Sequence, residues 1–129
     1  MTASPITIER NATMARAMKV MDEHGFRHLP IVDNGRLVGL LSERELRIVE
    51  NMRVVDAGMA CVEDFILTAP YSVSPDTPLA EVTRVMADCK YGSAVIVEDE
   101  RVIGLFTTVD ALRALTMMLD DDERKHAAS

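Results

Sequence analysis

The sequence contains an internal repeat, and a repeat constrains a fold more strongly than any single motif does. Residues 6–46 align without a gap to residues 71–111, at a constant offset of 65 positions. The identical pairs are Ala15 and Ala80, Val20 and Val85, Met21 and Met86, Ile31 and Ile96, Val32 and Val97, Arg36 and Arg101, Gly39 and Gly104, and Leu40 and Leu105. We therefore predict two copies of one unit. The first copy and its connector occupy residues 1–60, and the second copy with an acidic C-terminal tail occupies residues 61–129.

Each copy has the local pattern of a strand, a helix, two strands and a second helix. In the first copy Met14, Ala17, Met18 and Met21 recur at helical spacing, which predicts a helix that buries this stripe. Asn11 is the expected N-cap of that helix. The pattern as a whole predicts a mixed α/β (α+β) fold.

A hairpin and a short polar motif follow the first helix of each copy. Asn34-Gly35 separates two apolar runs in the first copy, which indicates a tight hairpin turn, whereas the second copy has no Gly at its turn. After each hairpin come a Gly, two apolar residues, a hydroxyl and, three residues later, a carboxylate. We expect Thr107 to cap the helix that follows it, with Asp110 in the first turn, where the helix dipole favours a negative charge.

The composition argues against several classes of function. The chain has 129 residues, a net charge of −7 and no stretch rich in Lys or Arg, which argues against nucleic-acid binding. No apolar run approaches the ~20 residues of a membrane span, and residues 1–10 lack the apolar core of a secretory signal. Cys61 and Cys89 lack metal-site spacing. We therefore predict reduced thiols, a cytoplasmic location and no metal site.

Two expectations concern the whole chain. Each copy is close to the lower size limit for a stable core, so we expect the two copies to share one. The acidic run 120–123 lies at the C-terminal end of the last helix, where the helix dipole disfavours negative charge. We expect the helix to fray there.

The hairpin segments "RHLPIVDNGRLVGLLSERELR" and "YGSAVIVEDERVIGLFTTVDALR" resemble the CBS domain, a family named after cystathionine β-synthase. The resemblance covers nearly the whole chain. It implies a tandem pair of repeats about a pseudo-two-fold axis, with adenosine-containing ligands bound in two clefts between the repeats. It also implies a sensor rather than an enzyme, with no obligatory cofactor. Because no catalytic domain is attached, we expect regulation to act on a partner in trans. One departure is that residues 1–4 are too few for the short helix that usually precedes the first strand.

The hydroxyl and carboxylate pairs are the predicted ligand-binding residues. A carboxylate can accept both hydrogen bonds of a ribose cis-diol, and the N–H groups at a helix start favour phosphate. By resemblance, Thr107 and Asp110 belong to one cleft, and Ser42 and Glu45 to the other. Glu45 is one methylene longer than the usual Asp, which alters its reach. The alternative is that these pairs only cap their helices.

Further candidate residues come from the resemblance. Arg27 and His28 precede the first hairpin strand, where family members face the cleft, and Arg suits phosphate because it is always charged. The matching residues of the second copy are Gly92 and Ser93, which are small and neutral. Tyr71 and Ile6 hold matching first-strand positions and could flank an adenine. The alternatives are a solvated surface pair for Arg27 and His28, and core positions for Tyr71 and Ile6.

Three functions are weighed. The first is an adenine-nucleotide sensor, the second is a dimerisation or scaffold unit with empty clefts, and the third is an enzyme. No catalytic grouping or phosphate-binding loop supports an enzyme. We also predict a homodimer, because apolar stripes follow each hairpin, Leu46 with Val49 and Leu112 with Leu115 and Leu119, and exposed apolar patches usually mark interfaces.

Overall fold

The computed structural model describes residues 2–3, 6–51, 59–66 and 69–127, and its elements follow the predicted order in both copies. The strands are β1 (Thr2–Ala3), β2 (Ile8–Glu9), β3 (His28–Asp33), β4 (Arg36–Ser42), β5 (Ser72–Val73), β6 (Ser93–Glu98) and β7 (Arg101–Thr107). The helices are α1 (Met14–His24), α2 (Glu43–Asn51), α3 (Leu79–Cys89) and α4 (Thr108–Ala127), and a 3₁₀ turn spans Val62–Phe65. Among these residues no helix is both long enough and apolar enough to cross a membrane.

A single sheet contains strands from both copies. Its order is β2-β3-β4-β7-β6-β5, and β1 pairs with β7 outside this path. The order is mirrored about its centre, as expected for two related units. At the centre, β4 and β7 pair through one residue each, Arg36 opposite Arg101, and these two residues hold the same position in the repeat. The predicted mixed α/β fold is confirmed.

The two hairpins have the same turn conformation although only one contains a glycine. Asn34 and Gly35 have φ values of 52° and 87°, and Asp99 and Glu100 have φ values of 51° and 67°. Two successive left-handed residues are the type I′ turn that matches the twist of a hairpin. Glu100 adopts this conformation at a cost of about 1–2 kcal/mol relative to a favoured one.

Helix α1 buries the predicted stripe, but its N-cap differs from the prediction. Met14, Ala17 and Met21 are buried in the core of the first copy. The N-cap is Thr13, whose Oγ1 accepts a hydrogen bond from Arg16 N at 3.1 Å, so the prediction of Asn11 is wrong. The reason is tertiary: the Met14 N–H donates to the Ala60 carbonyl at 2.8 Å, and this contact determines where the helix begins.

The segment that precedes each first strand differs between the copies. In the second copy, the 3₁₀ turn is followed by Ile66, which packs on Gly39 of β4; a Cβ on Gly39 would lie 2.8 Å from Ile66 Cγ1. In the first copy, β1 pairs antiparallel with β7, with Thr2 opposite Leu105 and Ala3 opposite Gly104. Residues 53–58 of the predicted connector lie outside the described residues.

Two expectations about the helices after the hairpins are corrected. Leu46 is a core residue of the first copy, 7% exposed, so it cannot belong to an exposed stripe, and the side chain of Val49 is outside the described part. Leu112, Leu115 and Leu119 are at least half exposed, as predicted.

The acidic run 120–123 continues as helix to Ala127 rather than fraying. Its side chains are exposed, and solvation weakens their interaction with the helix dipole.

Candidate functional site

A cavity of about 300 Å³ brings together residues from the two copies. Ile6, Arg27 and His28 contribute from the first copy, and Thr107 and Asp110 from the second. The wall is completed by Gly25, Phe26, Leu105, Thr108, Val109 and Arg113. Five of the nine predicted ligand-binding residues therefore line one cavity, at the start of helix α4.

Thr107 and Asp110 form a reciprocal cap at the start of α4. Asp110 Oδ2 accepts a hydrogen bond from Thr107 N at 2.9 Å and from Thr107 Oγ1 at 3.1 Å, and Asp110 N donates to Thr107 Oγ1 at 3.2 Å. This is the arrangement of a capping box, which satisfies backbone N–H groups that a helix start leaves unpaired. The predicted capping role of Thr107 is confirmed, and the cap fixes both side chains at the cavity wall.

The Asp110 carboxyl is held in its charged form. Burial raises its pKa, but hydrogen bonds from the backbone N–H and the hydroxyl of Thr107 lower it, and the resulting pKa lies below the ordinary value. Hydrogen bonds donated to a carboxylate stabilise its ionised form and so lower its pKa. Asp110 is therefore a hydrogen-bond acceptor in the cavity at neutral pH.

His28 lies between the cavity and the second copy. Its Nε2 is 3.1 Å from where a Cβ on Gly92 would be, so Gly92 leaves room for the imidazole ring. Burial lowers the pKa of His28, Glu45 raises it, and the Arg27 charge lowers it, for a net decrease. His28 is therefore neutral at pH 7, when one ring nitrogen can donate and the other accept.

Ser42 and Glu45 repeat the cap at the start of α2. Glu45 Oε2 accepts a hydrogen bond from Ser42 N at 2.9 Å and another from the Ser42 hydroxyl. The longer side chain of Glu45 thus reaches the donors that correspond to those of Asp110. Neither Ser42 nor Glu45 lines the 300 Å³ cavity.

Tyr71 and Ser93 also lie outside that cavity. The Tyr71 ring stacks on Tyr91, with 5.4 Å between ring centroids. Ser93 is 3% exposed, and its Oγ has no hydrogen-bond partner in the part of the chain that the structure describes. A buried hydroxyl without a partner costs about 1–3 kcal/mol, so Ser93 is suited to meet a polar group of a ligand.

Arg113 is a cavity residue that the sequence reasoning missed. It lies on α4 three residues after Asp110, and residues three apart share a helix face, so the spacing was the available signal. Arg113 therefore adds a second positive charge to the cavity beside that of Arg27. At the matching positions of the other copy stand Gly92 for Arg27 and Ile48 for Arg113, so neither arginine has a counterpart.

The sequence profile of the CBS domain matches residues 1–50 and 62–117. The chain therefore belongs to the CBS-domain family, and a CBS-domain pair is a regulatory, generally non-catalytic module. The chain spans 14 to 42% of the length of three of the curated relatives that it matches.

Solved structures of CBS-domain proteins have the same fold. The chain is 29% identical to AcuB from Vibrio cholerae, covering 96% of this chain and 92% of that one with a TM-score of 0.84. CBSX2 in complex with AMP is 23% identical, with 92% and 93% coverage and a TM-score of 0.78. The CBS-domain pair of MJ0100, in complex with 5′-methylthioadenosine and S-adenosyl-L-methionine, is 23% identical, with 91% and 93% coverage and a TM-score of 0.78.

Proposed function

We propose that the chain is a sensor that binds a phosphate-bearing adenosine nucleotide, such as AMP, ADP or ATP, in the 300 Å³ cavity and signals its presence to a partner in trans. The observation that carries this proposal is the meeting of two arginines and an ionised aspartate in one cavity at a helix start. The cavity is at the lower end of the size range of small-molecule sites.

The phosphate is assigned to the arginine side of the cavity. Arg27 and Arg113 can each donate charge-assisted hydrogen bonds to phosphate oxygens. The N–H groups of Thr107 and Asp110 at the start of α4 are already used in the cap, and that of Thr108 donates to the Gly92 carbonyl. The two arginines therefore carry the preference for an anionic ligand over a neutral nucleoside.

The ribose and base are assigned to the remaining wall. The Asp110 carboxylate suits a ribose cis-diol because it can accept hydrogen bonds from hydroxyl groups. Ile6 offers an apolar contact for a base, and neutral His28 can donate or accept a hydrogen bond. The complexes of CBSX2 with AMP and of MJ0100 with adenosyl ligands support an adenosine group as the common element.

The second cleft predicted by the repeat is assigned to Ser42, Glu45, Tyr71 and Ser93. Its support is the buried Ser93 hydroxyl, which has no hydrogen-bond partner among the described residues. We rank this cleft second because Gly92 and Ile48 replace the two arginines there and Glu45 replaces Asp110. Its cations would be Lys90 and Arg44, which match Gly25 and Val109 of the first cavity.

A dimerisation or scaffold unit is the competing function, favoured by the capped state of both carboxylates and by an exposed apolar groove between α3 and α4. Self-association as a homodimer is part of our proposal under either function, and nucleotide binding decides between them.

A thermal-melting series with ATP, ADP, AMP, NAD(H) and S-adenosylmethionine tests the proposal. A ligand at 100 times its Kd stabilises a fold by about 2.7 kcal/mol, so at least one phosphate-bearing nucleotide should raise the Tm by several degrees. Arg113→Ile, which installs the residue of the other copy, should reduce that shift. If none of these compounds raises the Tm of the wild-type protein, the scaffold function is favoured and the sensor is overturned.

A further inference from the structure

Of the described residues that line the 300 Å³ cavity, His28 is the one whose charge can change near neutral pH. It begins strand β3, where its Cα lies opposite that of Ser42 on β4. The preceding residue, Arg27, lines the same cavity, and the Arg27 carbonyl accepts a hydrogen bond from Glu43 N at 3.0 Å. The backbone that carries His28 is therefore held in place at the cavity wall.

A glycine of the other repeat makes room for the imidazole ring of His28. A Cβ on Gly92 would lie 3.1 Å from His28 Nε2 and 3.5 Å from Cε1, so a larger residue at position 92 would crowd the ring. The Gly92 carbonyl also accepts a hydrogen bond from Thr108 N at 3.1 Å, at the start of α4. The ring therefore lies between the cavity and the segment that holds the start of this helix.

The repeat shows that this arrangement belongs to one copy. The offset of 65 matches Arg27 with Gly92 and His28 with Ser93. The second copy thus has neither a fixed charge nor a titratable ring at the matching positions, and it buries Ser93 in the same fold. Because the first residue of this strand does not have to be a histidine for the repeat to fold, the imidazole of His28 requires another explanation, and the cavity that it lines supplies one.

The ring nitrogens of His28 are available to a ligand. Among the described residues, none forms a hydrogen bond with either of them. A neutral imidazole offers one donor and one acceptor, whereas an imidazolium offers two donors and a positive charge. Phosphate oxygens are acceptors with negative charge, so they suit the protonated ring better than the neutral one.

The charges around His28 show how a phosphate would change its protonation. They belong to Arg27 beside it, to Glu43 and Glu45 on α2, and to Asp110 and Arg113 across the cavity on α4. In the free protein, burial lowers the pKa of His28, Glu45 raises it and Arg27 lowers it, for a net decrease. A phosphate bound to Arg27 offsets the charge that disfavours the imidazolium, and an opposite charge within about 4–6 Å favours the charged form of a group.

We propose that His28 makes the cavity selective for phosphate through proton uptake: its imidazole takes a proton from solvent when a phosphate-bearing nucleotide binds and stays neutral when adenosine binds. The imidazolium then adds a third positive charge to those of Arg27 and Arg113. A ring that binds its proton more tightly in the complex than in the free protein strengthens nucleotide binding as the pH falls. This inference rests on the proposed function and specifies how its site distinguishes a nucleotide from a nucleoside.

Calorimetry in buffers of different ionisation enthalpy counts the protons taken up when AMP binds. At pH 6.5 the wild type should take up about 0.3 proton or more beyond His28→Gln. The phosphate of AMP, which itself titrates near pH 6, contributes equally to both proteins. His24→Gln is the control, because His24 is exposed and does not line the cavity, and it should match the wild type. Adenosine should give equal proton counts in all three proteins.

Affinity gives a second readout of the same linkage. Between pH 7.5 and pH 6.0 the ratio of the AMP affinity of the wild type to that of His28→Gln should rise about threefold or more. Equal proton counts in the two proteins, or a constant affinity ratio, would overturn the role of His28 and leave the nucleotide site standing. A wild-type protein that binds none of AMP, ADP and ATP would overturn the proposed function, and this inference with it.

A measurement on the wild type covers the case in which His28→Gln does not fold or does not bind AMP. Nuclear magnetic resonance titration of the His28 ring should give a higher pKa with saturating AMP than with saturating adenosine, because only AMP supplies the phosphate charge. The same pKa in the two complexes would overturn the inference.

Discussion

Asp110 and Glu45 accept equivalent hydrogen bonds within their own repeats, yet their surroundings differ. Asp110 shares a cavity with Arg27 and Arg113, whereas Glu45 raises the pKa of His28. The sequence predicts both caps because the hydroxyl and carboxylate are three residues apart in the chain. It does not show that the cap of one copy faces Arg27 of the other, because that contact depends on how the two copies pack.

Removal of either cavity arginine should selectively weaken the binding of phosphate-bearing ligands. Arg27→Ala and Arg113→Ala should each reduce the free energy of AMP binding by about 1.5–3 kcal/mol, the range for a hydrogen bond to a charged group, and leave adenosine almost unchanged. Titration calorimetry with both ligands measures this, with Arg84→Ala, an exposed arginine on α3, as the control. An equal loss for adenosine and AMP would show that the arginine has a structural role instead.

The stability contributed by Asp110 should depend on pH in one direction. Its pKa is lowered in the folded protein from a model-compound value of 3.8, so its contribution is present above that pH and is lost as pH falls through the folded pKa. Urea unfolding of the wild type and of Asp110→Asn from pH 7 to pH 2.5 should show a difference in unfolding free energy that shrinks below about pH 4. A difference that stays constant over this range would contradict the assignment.

At the scale of elements, the sequence patterns predicted the features that depend on contacts within a single element. The stripe on α1 follows from helical spacing and the first hairpin from its Asn34-Gly35 turn, whereas the second hairpin follows from the repeat. The N-cap of α1 was missed because the contact between Met14 N and the Ala60 carbonyl comes from a distant segment. The close approach of Ile66 to Gly39 was likewise not visible in the sequence, although the Gly itself belonged to the recognised motif.

The contact between Gly39 and Ile66 gives a prediction about packing. Gly39→Ala places a Cβ 2.8 Å from Ile66 Cγ1, and such overpacking lowers the free energy of unfolding by about 1–3 kcal/mol. In an Ile66→Ala background the same substitution should cost much less, because the crowded atoms are gone. A double-mutant cycle by urea unfolding measures the coupling. Additive effects would show that Ile66 moves aside without strain.

At the scale of the whole molecule, the repeat predicted the pair of units but not the different roles of their matching side chains. Its offset correctly matches Arg36 with Arg101 at the centre of the sheet. The same offset also shows two differences between the copies. The two arginines of the cavity, and Leu112 and Leu115 of the α3–α4 groove, are replaced at the matching positions of the other copy. Sequence alone identified Leu112 and Leu115 of that groove but not Leu79. It wrongly added Leu46 to the exposed stripes, because amphipathic spacing does not show which apolar face is turned to the core.

The most direct test of the account is titration calorimetry of AMP against the wild type, Asp110→Asn and Glu45→Gln. Asp110→Asn keeps the size of the side chain and should weaken binding tenfold or more, since a hydrogen bond to a charged group is worth about 1.5–3 kcal/mol. Glu45→Gln, the matched change in the other repeat, should alter affinity about twofold or less. Loss of binding in Glu45→Gln with none in Asp110→Asn would contradict the account by placing the working cleft in the other repeat.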